Sequence, residues 1–189
     1  MKVNEVGMPV WRNGRYFFTR RAANQQHHVI CQRESVDGPE EVLIDPCSMS
    51  TDNLISVEIL DVSPSGTLLA YSVRQGGEDE HEIRVLDLAS RRNLSDRLSK
   101  DRYYNNFSWN RDSTGFYYFV LTTEKSCVRF HRLGSAQDSD KELFSTRPDW
   151  AISVKASDDG RYLIVTVIRG AGGSSTEIYY QRLDDIASR

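Results

Sequence analysis

Cysteine is scarce in this chain of 189 residues. There are three, Cys31, Cys47 and Cys127, an odd set with no C-x-x-C pair. That count argues against a disulfide framework. An excess of either charge is missing too: 24 Lys and Arg stand against 27 Asp and Glu, a net charge of −3. Such a balance gives no electrostatic ground for nucleic acid or an anionic membrane as partner. No apolar run approaches the ~20 residues that cross a bilayer. The opening Met1-Lys2-Val3-Asn4-Glu5-Val6 lacks the apolar stretch of a secretory signal, so a cytoplasmic location is the expectation. A 3.6-residue period is also absent, and no helix longer than a turn is expected.

What is present is a repeat of turns and strands. Asn13-Gly14 precedes Arg15-Tyr16-Phe17-Phe18-Thr19, and Ser63-Pro64-Ser65-Gly66 precedes Thr67-Leu68-Leu69-Ala70-Tyr71. Ser113-Thr114-Gly115 precedes Phe116-Tyr117-Tyr118-Phe119-Val120, and Asp159-Gly160 precedes Arg161-Tyr162-Leu163-Ile164-Val165. The marker glycines 14, 66, 115 and 160 are separated by 52, 49 and 45 residues. Pro presets one turn angle and Gly accepts a conformation that a Cβ opposes. The apolar run after each turn has the composition of a strand buried on both faces.

Each apolar run is followed by a strand with period-two alternation, over 28–34, 82–88, 127–133 and 177–183. A more polar third strand fits at 40–45, around Asn93-Leu94, and at 141–144. A short strand fits before three of the turns, at 55–62, 105–109 and 151–156, with a weaker one at 7–11. Four strands per repeat at a pitch of ~45–50 residues describe a β-propeller blade. The expected fold is all-β, with four-stranded antiparallel blades over about 6–46, 54–99, 103–146 and 150–184. The last repeat stops at Leu183 before any outer strand, a little under four blades. Propellers close with about four to eight blades, so either a small closed ring or an arc of a larger propeller fits, and the arc is the expectation. An arc leaves apolar faces and strand edges open, which favours self-association.

Few residues suggest chemistry. His27-His28 has no third ligand at suitable spacing, no metal or other cofactor is expected, and the pair reads as a solvated strand start. Cys31 and Cys127 sit in strands, where a free thiol packs as a small hydrophobe. Asp158-Asp159-Gly160 is turn chemistry, and Gly170-Ala171-Gly172-Gly173-Ser174 lacks the Lys and helix of a phosphate loop. In the cluster Tyr103, Tyr104, Phe107 and Trp109, the last two share a strand face, while Tyr104 lies before the strand where a blade loop can line a channel.

The ordered set Gly14-Arg15-Tyr16-Phe17, Glu41-Val42-Leu43-Ile44-Asp45-Pro46, Ser63-Pro64-Ser65-Gly66, Phe107-Ser108-Trp109 with Gly115-Phe116-Tyr117-Tyr118, His131-Arg132-Leu133-Gly134, and Asp158-Asp159-Gly160-Arg161-Tyr162-Leu163 resembles the N-terminal propeller of the prolyl oligopeptidase family of serine peptidases. The resemblance runs from about Gly14 to Leu183. It implies the first three to four blades of a seven-bladed cap on an α/β-hydrolase domain. In that family the hydrolase carries Ser, Asp and His, and the cap admits only short peptides. No G-x-S-x-G nucleophile elbow occurs here, so this chain is expected to be non-catalytic. The expected partners are a hydrolase domain, of a parent or a separate peptidase chain, and short peptides. The resemblance also implies three positions lining the apolar end of a substrate pocket: Tyr104, Ala151 (after Trp150) and Ala171. The family's aromatic character persists at the first, and its methionine and cysteine are alanines here. The alternative reading is a stand-alone propeller for protein–protein binding.

Overall fold

A period of two places alternate side chains on opposite faces of a strand, and the turn residues fix where each strand begins. The structure, a computed structural model, describes residues 3–78, 80–102, 106–170, 173 and 175–183. It is all-β, built from four antiparallel sheets of propeller-blade type with two three-residue 3-10 turns, Pro46–Ser48 and Gln137–Ser139. The chain divides into two compact units, Met1–Lys100 and Asp101–Arg189, each holding two sheets.

In the first unit, the first sheet contains β1 (Glu5–Val6), β2 (Val10–Arg12), β3 (Arg15–Arg21), β4 (Val29–Arg33) and β5 (Glu41–Ile44). β1 and β2 both pair with β3, so the weak inner strand expected at 7–11 is two short pieces. Gly7 lies between them, its N–H donating to the Thr19 carbonyl. The second sheet runs β6 (Ile55–Val62), β7 (Leu68–Gln75), β8 (Glu80–Asp87) and β9 (Arg92–Arg102) in sequence order. β9 is 11 residues long, well beyond the short strand expected around Asn93-Leu94. β7 is buried from Leu68 to Val73, as its unbroken apolar composition predicts. Phe17, Ile30 and Ile44 of the first sheet pack into one core with Val57, Leu69, Tyr71, Val73 and Leu86 of the second.

The second unit repeats the plan. Its first sheet is β10 (Phe107–Trp109), β11 (Gly115–Leu121), β12 (Ser126–Arg132) and β13 (Lys141–Thr146). Its other sheet is β14 (Ala151–Ala156), β15 (Tyr162–Arg169) and β16 (Ser175–Arg182), three strands among the described residues. Tyr117, Phe119 and Val128 of the former close a core with Ile152, Val154, Leu163, Val165 and Val167 of the latter. The expected half-buried alternation fails along β16, where every residue but Glu177 is exposed. Its counterpart β12 is hydrogen-bonded on both sides and buried at Ser126, Cys127, Val128 and His131.

The turn repeat is more regular in space than in sequence. The left-handed residue of the turn is Gly66 (φ 70°), Ser113 (φ 60°) and Gly160 (φ 71°), a pitch of 47 residues each time. In the third repeat Ser113, not Gly115, therefore does the turning. Gly115 opens β11, where a Cβ would run into the His131 carbonyl and the Phe130 ring.

The turns also join neighbouring sheets. Arg15 donates to the Gly66 carbonyl at 2.5 Å and Asn13 to the Ser65 carbonyl at 3.4 Å. In the second unit Arg111 donates to the Asp159 carbonyl at 2.6 Å. A Cβ on Gly66 would collide with Asn13, and one on Gly160 with Arg111. Each glycine thus serves twice, in the turn and under the neighbour's side chain.

Candidate functional site

A polar centre recurs between the second and outer strands. Tyr71 donates its hydroxyl to Asn93 Oδ1 at 2.9 Å. In the second unit Tyr118 donates to Asp140 Oδ2 at 2.7 Å, and His131 Nδ1 lies 2.8 Å from Asp140 Oδ1. The two Tyr partners are each 22 residues downstream, a spacing visible in the sequence once the two tyrosines are aligned. A His–Asp pair is two-thirds of a hydrolytic triad, but both side chains here are 1% exposed. No substrate reaches them, so the pair ties β11 and β12 to the segment before β13. Desolvation raises the Tyr71 phenol above its ordinary range.

In the first unit a polar strap spans both sheets at the turn end. Arg15 Nη1 donates to Gln32 Oε1 (3.2 Å), Gln32 Nε2 to Glu41 Oε2 (2.7 Å), and Arg91 Nη2 to the same oxygen (2.7 Å). His27 Nε2 sits 2.6 Å from the Asn53 carbonyl and His28 Nε2 3.2 Å from Glu5, and the pair, still partly exposed, directly precedes β4. Among the described residues no group of three His, Cys, Asp or Glu is placed to hold a metal.

All three thiols are free. Cys31 is buried, and desolvation, with Glu40 beside it, pushes its thiol up to about 11. Burial raises Cys127 likewise. A nucleophilic thiol needs the opposite shift.

Of the pocket-lining positions, Tyr104 and Ala171 lie outside the described residues. Ala151 is half-buried at the start of β14, opposite Ile168. Beside it the Trp150 ring carries the Arg169 guanidinium 4.4 Å from its centroid and that of Arg147 at 5.8 Å. Arg169 is also paired with Glu177. This end of the strands is an aromatic surface edged by cations, a polar frame around a flat apolar ring. At the opposite end lies a cavity of about 710 Å³, lined by Tyr117, Phe130, Leu143 and Leu183 with Asp112 and Arg132. Burial and the Asp112 charge push the Tyr117 hydroxyl there up to about 12. Sequence reading had no signal for this cavity, because its walls come from three separate strands and Leu183.

Residues 1–187 match the family described as "Prolyl oligopeptidase, N-terminal beta-propeller domain". The chain belongs to that family. It is 30% identical over 186 residues to the prolyl endopeptidase of Elizabethkingia meningoseptica, covering 92% of this chain and 26% of the relative. Protease 2 of Moraxella lacunata is 26% identical over 174 residues, covering 86% of this chain and 25% of the relative. A solved prolyl endopeptidase, studied for inter-domain dynamics in catalysis and specificity, superposes with a TM-score of 0.85 at 28% identity, over 96% of this chain and 28% of the other. Prolyl oligopeptidase B from Galerina marginata, in its apo form, shares the fold with a TM-score of 0.80 at 20% identity, over 97% of this chain and 29% of that one. The chain therefore spans about a quarter of the length of the relatives it matches.

Proposed function

We propose that this chain is the non-catalytic part of a prolyl-oligopeptidase-type serine peptidase that controls which peptides reach a hydrolase domain. The observation that carries the proposal is the family match over residues 1–187. The burial of the His131–Asp140 pair is consistent with a chain that does no hydrolysis itself. In this proposal Tyr104, Ala151 and Ala171 line the apolar end of the peptide pocket, Ala151 beside Trp150. Two alanines leave more room there than a methionine and a cysteine would, so the pocket accepts a bulkier residue. A working cytoplasmic location follows the expectation from the sequence.

A hybrid tests the proposal. The first quarter of the Elizabethkingia meningoseptica prolyl endopeptidase is replaced by this chain, and cleavage of proline-containing peptides of increasing length is measured. Cleavage of short peptides with rejection of long ones is expected. Equal rates at all lengths, or cleavage of a chromogenic proline peptide by this chain alone, would overturn the proposal. A second reading, a stand-alone module for protein–protein binding, is favoured by one observation, the uncovered apolar face of the β14–β16 sheet.

A further inference from the structure

The two units build the same corner in the same register and fill it differently. In the first, Phe17 lies opposite Gln32 and Gln32 opposite Glu41; in the second, Tyr117 lies opposite Phe130 and Phe130 opposite Lys141. On the neighbouring sheet, the Leu88 N–H to Thr67 carbonyl bond recurs as Leu183 N–H to Arg161 carbonyl. The polar strap closes the corner of the first unit. There the Arg15 guanidinium lies 5.4 Å from the Phe17 ring centroid and donates to Gln32. The Glu41 carboxylate gathers Gln32 together with Arg91, which reaches over from the turn between β8 and β9.

In the second unit the strap's members are exchanged. Gly115 stands in the place of Arg15, and the Phe130 ring lies against it, closer than a Cβ would allow. Phe130 itself replaces Gln32, its ring centroid 5.0 Å from that of Tyr117. The acids have become cations. Lys141 stands for Glu41, and Arg132, two residues beyond Phe130, stands for Glu34, two beyond Gln32. Three residues after Leu88 comes Arg91; three after Leu183 comes Ile186, which lies outside the described residues and carries no side-chain donor. The corner is thereby left open as the cavity of about 710 Å³, walled by Tyr117, Phe130, Leu143 and Leu183 and edged by Arg132 and Lys141. Neither cation has an ion pair or a side-chain hydrogen bond among the described residues. The carboxylates nearby are engaged elsewhere: Asp140 accepts from Tyr118 and meets His131, Glu142 holds Lys125, and Asp112 accepts from Thr114.

We propose that this cavity binds a small aryl carboxylate, whose anionic head does at Arg132 and Lys141 what Glu41 does for the first unit from within the chain. The ring of such a ligand lies against the Tyr117–Phe130 pair, between Leu143 and Leu183. A guanidinium donates to both oxygens of a carboxylate at once, which fixes the head, and the apolar walls hold the ring. The volume falls within the range of about 300–1,000 Å³ typical of small-molecule sites, which pair apolar walls with a few polar groups. Charge selects a monoanion. Two cations stand against Asp112, which lines the same cavity, so one positive charge is left to neutralise. A phosphate monoester, with a charge of about −1.5 to −2, would carry a surplus toward Asp112. This binding is separate from control of peptide entry, so either proposal can fail without the other.

The test is calorimetric titration of the full chain with 3-phenylpropionate, with its neutral primary amide, and with inorganic phosphate. The carboxylate is expected to bind with a Kd on the order of 1 mM or tighter. The amide should bind about tenfold more weakly or worse, and phosphate more weakly than the carboxylate. Lys141→Glu sets beside Arg132 the carboxylate that the first unit has in Glu41. It is expected to abolish binding of 3-phenylpropionate and to raise the urea midpoint, while the buried Trp109 keeps its emission and reports an intact unit. Lys141→Gln, a milder change, should weaken the carboxylate about tenfold and leave the affinity for the amide where it was. The proposal is overturned if acid and amide bind equally, since the cavity then recognises an apolar body alone. It is equally overturned if phosphate binds as tightly as the acid, or if 3-phenylpropionate gives no heat of binding. Unchanged affinity for the acid in both Lys141 variants would place any binding elsewhere, as on the exposed Ile178 and Tyr180, and would also overturn it.

Discussion

At the scale of single residues, the turn glycines carry two demands at once. Gly66→Ala forces a left-handed alanine into the space of Asn13, and a loss of about 2 kcal/mol in urea unfolding is expected. The buried trio carries a different risk. Asp140→Ala removes the acceptor shared by His131 and the Tyr118 hydroxyl, costing about 2–3 kcal/mol, whereas Tyr118→Phe removes one neutral donor and costs about 1 kcal/mol. Trp109 emission reports both. The thiols give a pH dependence. Cys31 keeps its proton to a higher pH folded than unfolded, rising from 9.0 to about 11 through burial first and Glu40 second. Between those values the unfolded chain has released a proton that the folded chain still holds. Stability from this group is therefore complete below pH 9 and declines as pH rises toward 11. Urea midpoints across that range should fall more steeply for the native chain than for Cys31→Ala. At pH 8 a disulfide reagent should titrate exposed Cys47 at once and the two buried thiols only after denaturation.

At the scale of strands and sheets, the repeat was legible because it is written in local chemistry. Turn residues and alternation placed β6 and β14 at their observed bounds, and the six-residue buried run of β7 follows from its composition alone. Other features needed the third dimension. Gly115 looked like a turn glycine, yet its reason is the close approach of the His131 carbonyl, set by a pairing register no window of sequence contains. β9 outran its expected length because pairing to β8 holds a polar stretch that has little propensity of its own. The Tyr118–Asp140–His131 centre was hidden for the same reason: its parts lie on different strands. Ala151 opens β14 as the strand expected over 151–156 requires, and nothing in its own chemistry points to a site. Edge position makes a further prediction. β16 pairs only with β15 among the described residues, whereas β12 pairs on both sides. Its outward amides should exchange faster than those of β12 in the isolated chain, and equal rates would contradict the three-stranded sheet.

At the scale of the whole molecule, length and composition bounded the class without naming it, and the ordered motifs carried the family. A quarter-length match explains why chemistry is sparse: in relatives four times longer, most of the polypeptide lies beyond the matched part. The purified chain is expected to leave a chromogenic proline peptide uncleaved over hours, a null that any measurable turnover would contradict. The paired turns have a broader implication. Asn13 grips the turn of the following sheet, with Arg15 beside it, and Arg111 does the same one pair later, Gly66 and Gly160 leaving the room beneath Asn13 and Arg111. Within each unit the leading sheet therefore carries on its own corner the fitting that holds the sheet after it. A gene that duplicates such a two-sheet pair copies the fitting together with the turn it holds, so that joint arrives in the new copy already made.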